Sequence, residues 1–289
     1  MAKTTLDLDR SAVLIDLALA EDLNGTGDTT SKSVIPDGIR ATALLRCKED
    51  LVCAGLPIAE QVFKKVCPDA MWIAKVNEGD FCKAFTVMAE IEGSAQELLT
   101  AERTALNFLQ RLCGIATTSA KYAEAVKGTT TKILDTRKTT PGWRNLEKYA
   151  VAAGGADNHR IGLYDRVMIK DNHRELAGLE GINGITRSVE RSRAMYPELE
   201  IEVEADTIEE AIEAMEARAD YILLDNMTND EMAEAVKINR GRCKLEASGG
   251  ITLERIPSIA AIGVDFISVG ALTHSVKASD ISMEIKLSN

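Results

Sequence analysis

Six short, β-branched stretches of this chain run into residues that can do chemistry. The first ends in Asp135-Thr136-Arg137-Lys138, the second in Lys170-Asp171-Asn172-His173 and the third in Glu202-Val203-Glu204. The fourth ends in Asp225-Asn226, the fifth in Ser248-Gly249-Gly250 and the sixth in Gly270-Ala271-Leu272-Thr273. In parallel α/β architectures the loops that follow the strands converge on one face, so ligands collect there. One charged strand end is most simply a solvated loop; six in succession favour a shared pocket.

The residue types narrow the ligand. Ser248-Gly249-Gly250, followed by Ile251-Thr252-Leu253 at the start of an expected helix, offers backbone N–H groups with no Cβ in the way and a helix dipole behind them. With Gly270 after the next strand, this is phosphate-binding chemistry in the loops after the last two strands. Glu204 and Asp225, ending neighbouring strands, could share Mg²⁺, which takes one or two carboxylates and completes its shell with water and substrate oxygens. The alternative is that one of them simply pairs with a lysine. The three histidines, His159, His173 and His274, are far apart in sequence and offer no zinc spacing.

Charge is distributed unevenly. The whole chain of 289 residues has 34 Lys and Arg against 45 acids, a net −11 that excludes a duplex nucleic acid as partner. Residues 137–174 run the other way: eight basic residues (Arg137, Lys138, Arg144, Lys148, Arg160, Arg166, Lys170, Arg174) face four acids, a local +4 that leaves −15 elsewhere. With His159, His173 and the close-packing pair Gly154-Gly155 in the same window, this reads as a pocket for compact anions.

The elements that must hold these residues follow from periodicity. Strands are expected at 132–135, 166–170, 200–204, 221–225, 244–247 and 266–269, alternating with amphipathic helices such as the one opened by the capping pair Thr207 and Glu210. Six βα units in about 145 residues fall short of the roughly 250 of a closed eight-stranded barrel. The expected fold class is therefore α/β, an N-terminal α+β sandwich domain plus an incomplete, open α/β barrel of about six or seven parallel strands. The N-terminal part shows a helical pattern across Val13, Leu14, Leu17 and Ala18, β-like pieces at 41–47, 51–56, 71–76 and 86–92, and a helix at 57–67. A long helix from Ala95, with Leu98, Leu99, Ala105, Leu106, Leu109 and Leu112 on one stripe, links it to the barrel. The expected domains are 1–113 and 114–274, with 275–289 packing back on the first. Six cysteines without C-x-x-C spacing read as buried thiols of a reducing compartment. No apolar run approaches the ~20 residues of a membrane span. The N-terminus MAKTTLDLDR lacks a signal-peptide pattern, so a cytoplasmic protein is expected.

On its motifs the sequence resembles the quinolinate phosphoribosyltransferases, the carboxylating nicotinate-nucleotide pyrophosphorylases. The resemblance spans nearly the whole chain, from Ala18-Leu19-Ala20-Glu21-Asp22-Leu23 and Gly27-Asp28-Thr29-Thr30 to Asp280-Ile281-Ser282. Within it lie the 101–111 segment AERTALNFLQR, Leu134-Asp135-Thr136-Arg137-Lys138-Thr139-Thr140-Pro141-Gly142, Asn158-His159-Arg160 and Val167-Met168-Ile169-Lys170-Asp171-Asn172-His173. Two positions depart from the family pattern: Ala156 replaces the third glycine of a run, and Trp143 replaces a common leucine. The resemblance implies transfer of phosphoribosyl from phosphoribosyl pyrophosphate to quinolinate with decarboxylation, using Mg²⁺ and neither flavin nor pyridoxal, in NAD biosynthesis. It implies that Arg103, Arg137, His159, Arg160 and Lys170 bind quinolinate. Lys138, Lys170, Glu204, Asp225, Ser248, Gly249, Gly250 and Gly270 would then bind phosphoribosyl pyrophosphate, with Lys138, Lys170, Glu204 and Asp225 catalytic and Glu204 and Asp225 on the metal side.

The resemblance also implies a homodimer in which Arg103 reaches the neighbouring subunit's site, and leaves open a hexamer. Helical projection agrees in placing Arg103 about 110° from the apolar stripe of its helix, while Glu102 falls within that stripe and is expected to orient a basic site residue. Rival readings are a same-fold transferase with another acceptor, such as the molybdenum-transport-associated relatives or the nicotinate phosphoribosyltransferases, a Schiff-base aldolase using Lys170, and a non-catalytic phosphometabolite-binding protein.

Overall fold

The computed structural model describes residues 4–179 and 181–288. The first three residues of the N-terminal stretch read above for a signal peptide, and Asn289 of the segment expected to pack back, lie outside the described residues. The chain divides into two compact units, one formed by 121–138 and 156–270, the other by 4–120, 139–155 and 271–288. This differs from the expected 1–113 and 114–274: the helix Ala95–Ala125 runs unbroken through 113, and the helix Arg144–Ala153 packs with the N-terminal residues rather than with the barrel.

The second of these units is built on an antiparallel sheet. The sheet contains β1 (Arg40–Cys47), β3 (Met71–Ala74) and β5 (Val87–Ser94), while β2 (Leu51–Val52) and β4 (Phe81–Cys82) pair separately with each other. β1 alternates exposed and buried residues, with Ala41, Ala43, Leu45 and Cys47 inside, as a strand with one wet face must. It pairs with β5 on one side, and on the other with a final strand (Ile281–Leu287) in the register Ala41↔Leu287 to Cys47↔Ile281. β2 is shorter than the expected 51–56 because the chain turns through Gly55, at φ +102°, into the helix Leu56–Val66. A Cβ at Gly55 would lie 2.7 Å from Leu112, and Glu78 accepts the amides of Gly55 and Leu56 at 2.7 and 2.9 Å, capping that helix from a distant turn. Ala95–Ala125 buries Leu98, Ala101, Ala105, Leu109, Leu112 and Ala116 at the i, i+3/i+4 spacing of one face; Leu99, expected there, is only half-buried. In the helix Leu8–Leu23 the buried residues are Ser11, Ile15 and Leu19, so the expected stripe is rotated and Val13 and Leu17 are exposed.

The first unit is the open barrel. Its strands are β6 (Lys132–Leu134), β7 (Val167–Ile169), β8 (Ile201–Ala205), β9 (Tyr221–Asp225), β10 (Lys244–Ser248) and β11 (Phe266–Ser268), all parallel, in the order β6-β11-β10-β9-β8-β7. The edge strands β6 and β7 are not paired with each other among the described residues. A single parallel bridge, Leu134↔Asp157, starts a seventh position beside β6 and stops after one residue. Helices follow β8 and β9: Thr207 caps Ile208–Glu216, and Thr228 with Glu231 forms a full capping box on Asn229–Asn239. At Thr207 only half the expected box is made, because the Glu210 carboxylate accepts from the Asp206 amide. All six cysteines are free, and all but Cys243 are buried. Among the described residues no helix is long and apolar enough to cross a membrane.

Candidate active site

Side chains two apart on a strand share a face, and this period builds the site. Met168 and Lys170, Glu202 and Glu204, Leu223 and Asp225, and Glu246 and Ser248 project to one face from β7, β8, β9 and β10 or from the residue just beyond the strand, with Ser268 from β11. The carboxyl ends of these strands, with Thr136, Arg137, Lys138, His159 and Arg160, line a cleft of about 420 Å³. Larger recesses, of about 860 and 740 Å³, open elsewhere around Arg240 and Arg242, but no strand carboxyl end opens into them. The chemistry therefore belongs to the smaller cleft.

Polar atoms in this cleft are held in layers. Toward the amino ends of the strands lies Arg166, whose guanidinium is 3.9 Å over the Tyr221 ring and reaches Glu200 at 3.2 Å and Glu202 at 3.4 Å. Above it Glu202 and Glu246, both wholly buried, converge on Nε2 of His159 at 3.2 and 3.4 Å, and the Ser268 hydroxyl donates to Glu246. Asp135, also wholly buried, accepts the His159 amide and the Asn158 side chain, both at 2.8 Å, which ties the Asn158-His159-Arg160 turn to the end of β6. At the mouth Lys170 is ion-paired with Glu204, and Asp225 accepts from Asn226 at 2.7 Å.

The carboxylates decide the charge on His159. Burial alone would lower its pKa, but Glu246 and Glu202 outweigh burial and push it up to about 9. Against this, Nδ1 accepts the Arg160 amide at 2.7 Å, a contact suited to the neutral ring. A rise from 6.5 to about 9 is worth about 3 kcal/mol in favour of imidazolium. A single neutral hydrogen bond is worth roughly 1 kcal/mol. The two buried carboxylates thus favour the imidazolium, and the Arg160 amide is the one contact that suits the neutral ring. Burial and the neighbouring Glu202 charge raise Glu246, whereas the cations His159 and Arg166 hold Glu202 below the usual carboxylate range in spite of its burial.

The glycine turn is shaped by backbone constraint. Gly249 and Gly250 take φ of +87° and +58°, and a Cβ on Gly249 would lie 2.2 Å from Asn226 Oδ1 and 2.7 Å from its amide nitrogen. The expected helix does not open at Ile251: a 3-10 turn, Leu253–Arg255, precedes Ile256–Ile262. The turn's anion-binding capacity therefore lies in its exposed amides more than in a helix dipole.

Of the expected site residues, the cleft gathers Arg137, Lys138, His159, Arg160, Lys170, Glu204, Asp225 and Ser248. Arg137 Nε is buried with no hydrogen-bond partner among the described residues. Arg103 belongs to the other unit and is exposed, with Glu102 at 4.0 Å as its ion partner. Glu102 is half-buried, and burial raises its pKa. Four of the eight basic residues in the 137–174 window do other work. Arg144 bonds Thr139, Lys148 is wholly buried, Arg166 sits under Glu202, and Arg174 pairs with Glu210. Glu246 and Ser268 were not singled out from sequence, and Glu202 was noted only as part of a strand end. The signal was the i, i+2 period that pairs Glu202 with Glu204 and Glu246 with Ser248. The two departures from the family pattern are both accommodated in packing: Ala156 is buried, and Trp143 stacks on Phe108 with centroids 4.7 Å apart.

An open parallel barrel whose strand ends present cations, carboxylates and a glycine turn to one cleft defines an α/β transferase acting on small anionic substrates. Family models for the N-terminal and C-terminal domains of quinolinate phosphoribosyl transferase match residues 28–113 and 115–284. The chain belongs to the quinolinate phosphoribosyltransferase family. It is 43% identical over 277 residues to the probable carboxylating nicotinate-nucleotide pyrophosphorylase of Bacillus subtilis, covering 96% of this chain and 93% of the relative. It is 42% identical to the chloroplastic carboxylating nicotinate-nucleotide pyrophosphorylase of Arabidopsis thaliana, covering 94% and 82%. The solved nicotinate-nucleotide pyrophosphorylase of Francisella tularensis superposes with a TM-score of 0.92 at 37% identity, covering 99% of each chain.

Proposed function

We propose that this protein transfers the phosphoribosyl group of phosphoribosyl pyrophosphate to the nitrogen of quinolinate and releases pyrophosphate, CO₂ and nicotinate mononucleotide, a step of NAD biosynthesis. The observation that carries this reading is the gathering of Arg137, Lys138, His159, Arg160 and Lys170 in one cleft with Glu204, Asp225 and Ser248 of the Ser248-Gly249-Gly250 turn. A dicarboxylate needs several cationic donors, and planar guanidinium groups match carboxylates in a bidentate way. Arg137, Arg160, His159 and Lys170 supply them, with Arg103 of a second subunit completing the set in a homodimer.

Lys138 and Lys170 face the departing pyrophosphate and neutralise its charge. The amides of Gly249 and Gly250, with Ser248 and Gly270, hold the 5′-phosphate. Glu204 and Asp225, on adjacent strands in the same cleft, are oxygen donors of the kind and number that Mg²⁺ takes when substrate completes its shell. Bound there, the ion would supply further charge neutralisation at the leaving group. Loss of the carboxylate beside the ring nitrogen as CO₂ leaves an electron pair at carbon, which the newly formed pyridinium stabilises until that carbon takes up a proton from water to give nicotinate mononucleotide.

Purified protein incubated with quinolinate, phosphoribosyl pyrophosphate and Mg²⁺ is expected to release pyrophosphate and CO₂ in equal amounts. Chelation with EDTA should stop both. Failure to release either with Mg²⁺ present would refute the reading.

A further inference from the structure

Glu246 and Ser268 line the cleft but are buried, and Glu246 meets its histidine, His159. Glu246 is wholly buried on β10, one carboxylate oxygen takes the Ser268 hydroxyl and lies 3.4 Å from His159 Nε2, and the other has no partner among the described residues. Glu202, also wholly buried, approaches the same nitrogen from β8 at 3.2 Å. We propose that Glu246, set by Ser268 and working with Glu202, is a positioning residue that holds the His159 imidazole in one orientation and in its cationic form as part of the floor of the dicarboxylate site. The inference rests on the function proposed above for its catalytic consequence, although the pairing itself can be tested without substrate.

Two groups compete for a proton at this place, His159 and Glu246, whose carboxyl burial and the Glu202 charge push up. The charged groups facing His159 are Glu202 from β8, Glu246 from β10, Asp135 at the end of β6 through the His159 amide, and Arg160 next in the chain, with Arg166 behind Glu202. Arg166 offsets one of the two buried carboxylates that meet Nε2. The second, Glu246, has no cation at ion-pair distance among the described residues except the imidazole, and an uncompensated buried carboxylate is costly. Charging His159 closes that balance and places a positive ring where an anion enters. The upward push on the His159 pKa, to about 9, has this same cause. Ligand atoms of His159, Glu202 and Glu246 lie within 4.8 Å of one another, so a divalent cation is the competing occupant.

The test uses the fact that the chain has three histidines. Heteronuclear NMR of the full-length protein, with His173→Asn and His274→Asn to assign the ring signals, should show His159 losing its proton near pH 9. In Glu246→Gln, which keeps the shape and removes the charge, that titration should move down toward 6.5. At pH 8 the KM for quinolinate should rise about tenfold while that for phosphoribosyl pyrophosphate stays within about twofold, since a charge at the dicarboxylate floor acts on one substrate. Ser268→Ala should produce a smaller change of the same kind, and serves if Glu246→Gln does not fold. The proposal is overturned if wild-type His159 titrates near 6.5, if either variant leaves the titration in place, or if both KM values rise together. A shift of the His159 signals on adding Zn²⁺ alone would also overturn it, in favour of a metal site. Absence of turnover in the wild type would remove the proposed function while the NMR titration still decided the pairing.

Discussion

At the scale of single residues, the site works by leaving some groups incompletely satisfied until a ligand arrives. Arg137 has a buried Nε with no partner among the described residues, beside Arg160, whose own pKa burial and then Arg137 push downward. These two guanidinium groups repel each other, and a dicarboxylate bound between them would relieve that repulsion. Arg137→Ala should therefore raise the KM for quinolinate about 100-fold, equivalent to the ~2–3 kcal/mol of a charge-assisted hydrogen bond. Steady-state kinetics with circular dichroism as the folding control checks this, and an unchanged KM would remove Arg137 from the binding set. The buried Asp135 has a different role, since its partners include Asn158 and the His159 amide. Asp135→Asn should cost about 1–3 kcal/mol of stability, measured by urea denaturation.

At the scale of elements, two glycine positions separate backbone need from spatial need. Gly249 requires both a left-handed φ and the absence of a Cβ, which would overlap Asn226. Gly250 has a left-handed φ but open space around it. Gly249→Ala is expected to distort the turn and raise the KM for phosphoribosyl pyrophosphate at least about tenfold, whereas Gly250→Ala should cost only the ~1–2 kcal/mol of a left-handed alanine. Comparable effects in both would mean that the turn is strained rather than shaped for a ligand. Gly154 is a contact of another kind: a Cβ there would lie 2.3 Å from the Ala116 carbonyl oxygen of the long helix. The sequence pattern marked these glycines, but only coordinates distinguish a turn that needs φ > 0 from a helix end that needs close approach.

At the scale of the whole molecule, stability and assembly are the testable properties. The folded-state pKa of His159 is raised from 6.5 to about 9. Its stabilising contribution, about 3 kcal/mol by the same comparison, is thus complete below pH 6.5 and lost as pH climbs through 9. Urea midpoints should fall over that interval, and a flat profile would show that the histidine is neutral in the fold. Assembly can be tested by mixing two inactive variants, Arg103→Ala and Lys170→Ala. If Arg103 serves a neighbouring subunit, random heterodimers restore one intact site in two, giving about a quarter of wild-type activity. No recovery after reassembly would place Arg103 outside the shared site.

The open parallel barrel, its six strands within one or two residues, and the charged strand ends were legible in the chain, because strand period and turn chemistry are local. So was the exposure of Arg103, since a helix fixes angle by spacing alone. The rotated face of Leu8–Leu23, the truncation of β2 at Gly55 and the assignment of 139–155 to the sheet-bearing unit were not legible, because each depends on what packs against the segment. The basic window shows the same division. Its +4 charge is a property of sequence, but four of its eight cations turn away to distant acids, a buried position or a threonine, and only the fold says which. Sequence by itself determined which chemical groups this protein possesses and that strand ends would present them. Tertiary structure alone decided that Glu202 and Glu246, 44 positions apart, meet on one imidazole nitrogen and push its pKa up. Electrostatic coupling acts through distance in space, and sequence separation does not encode that distance.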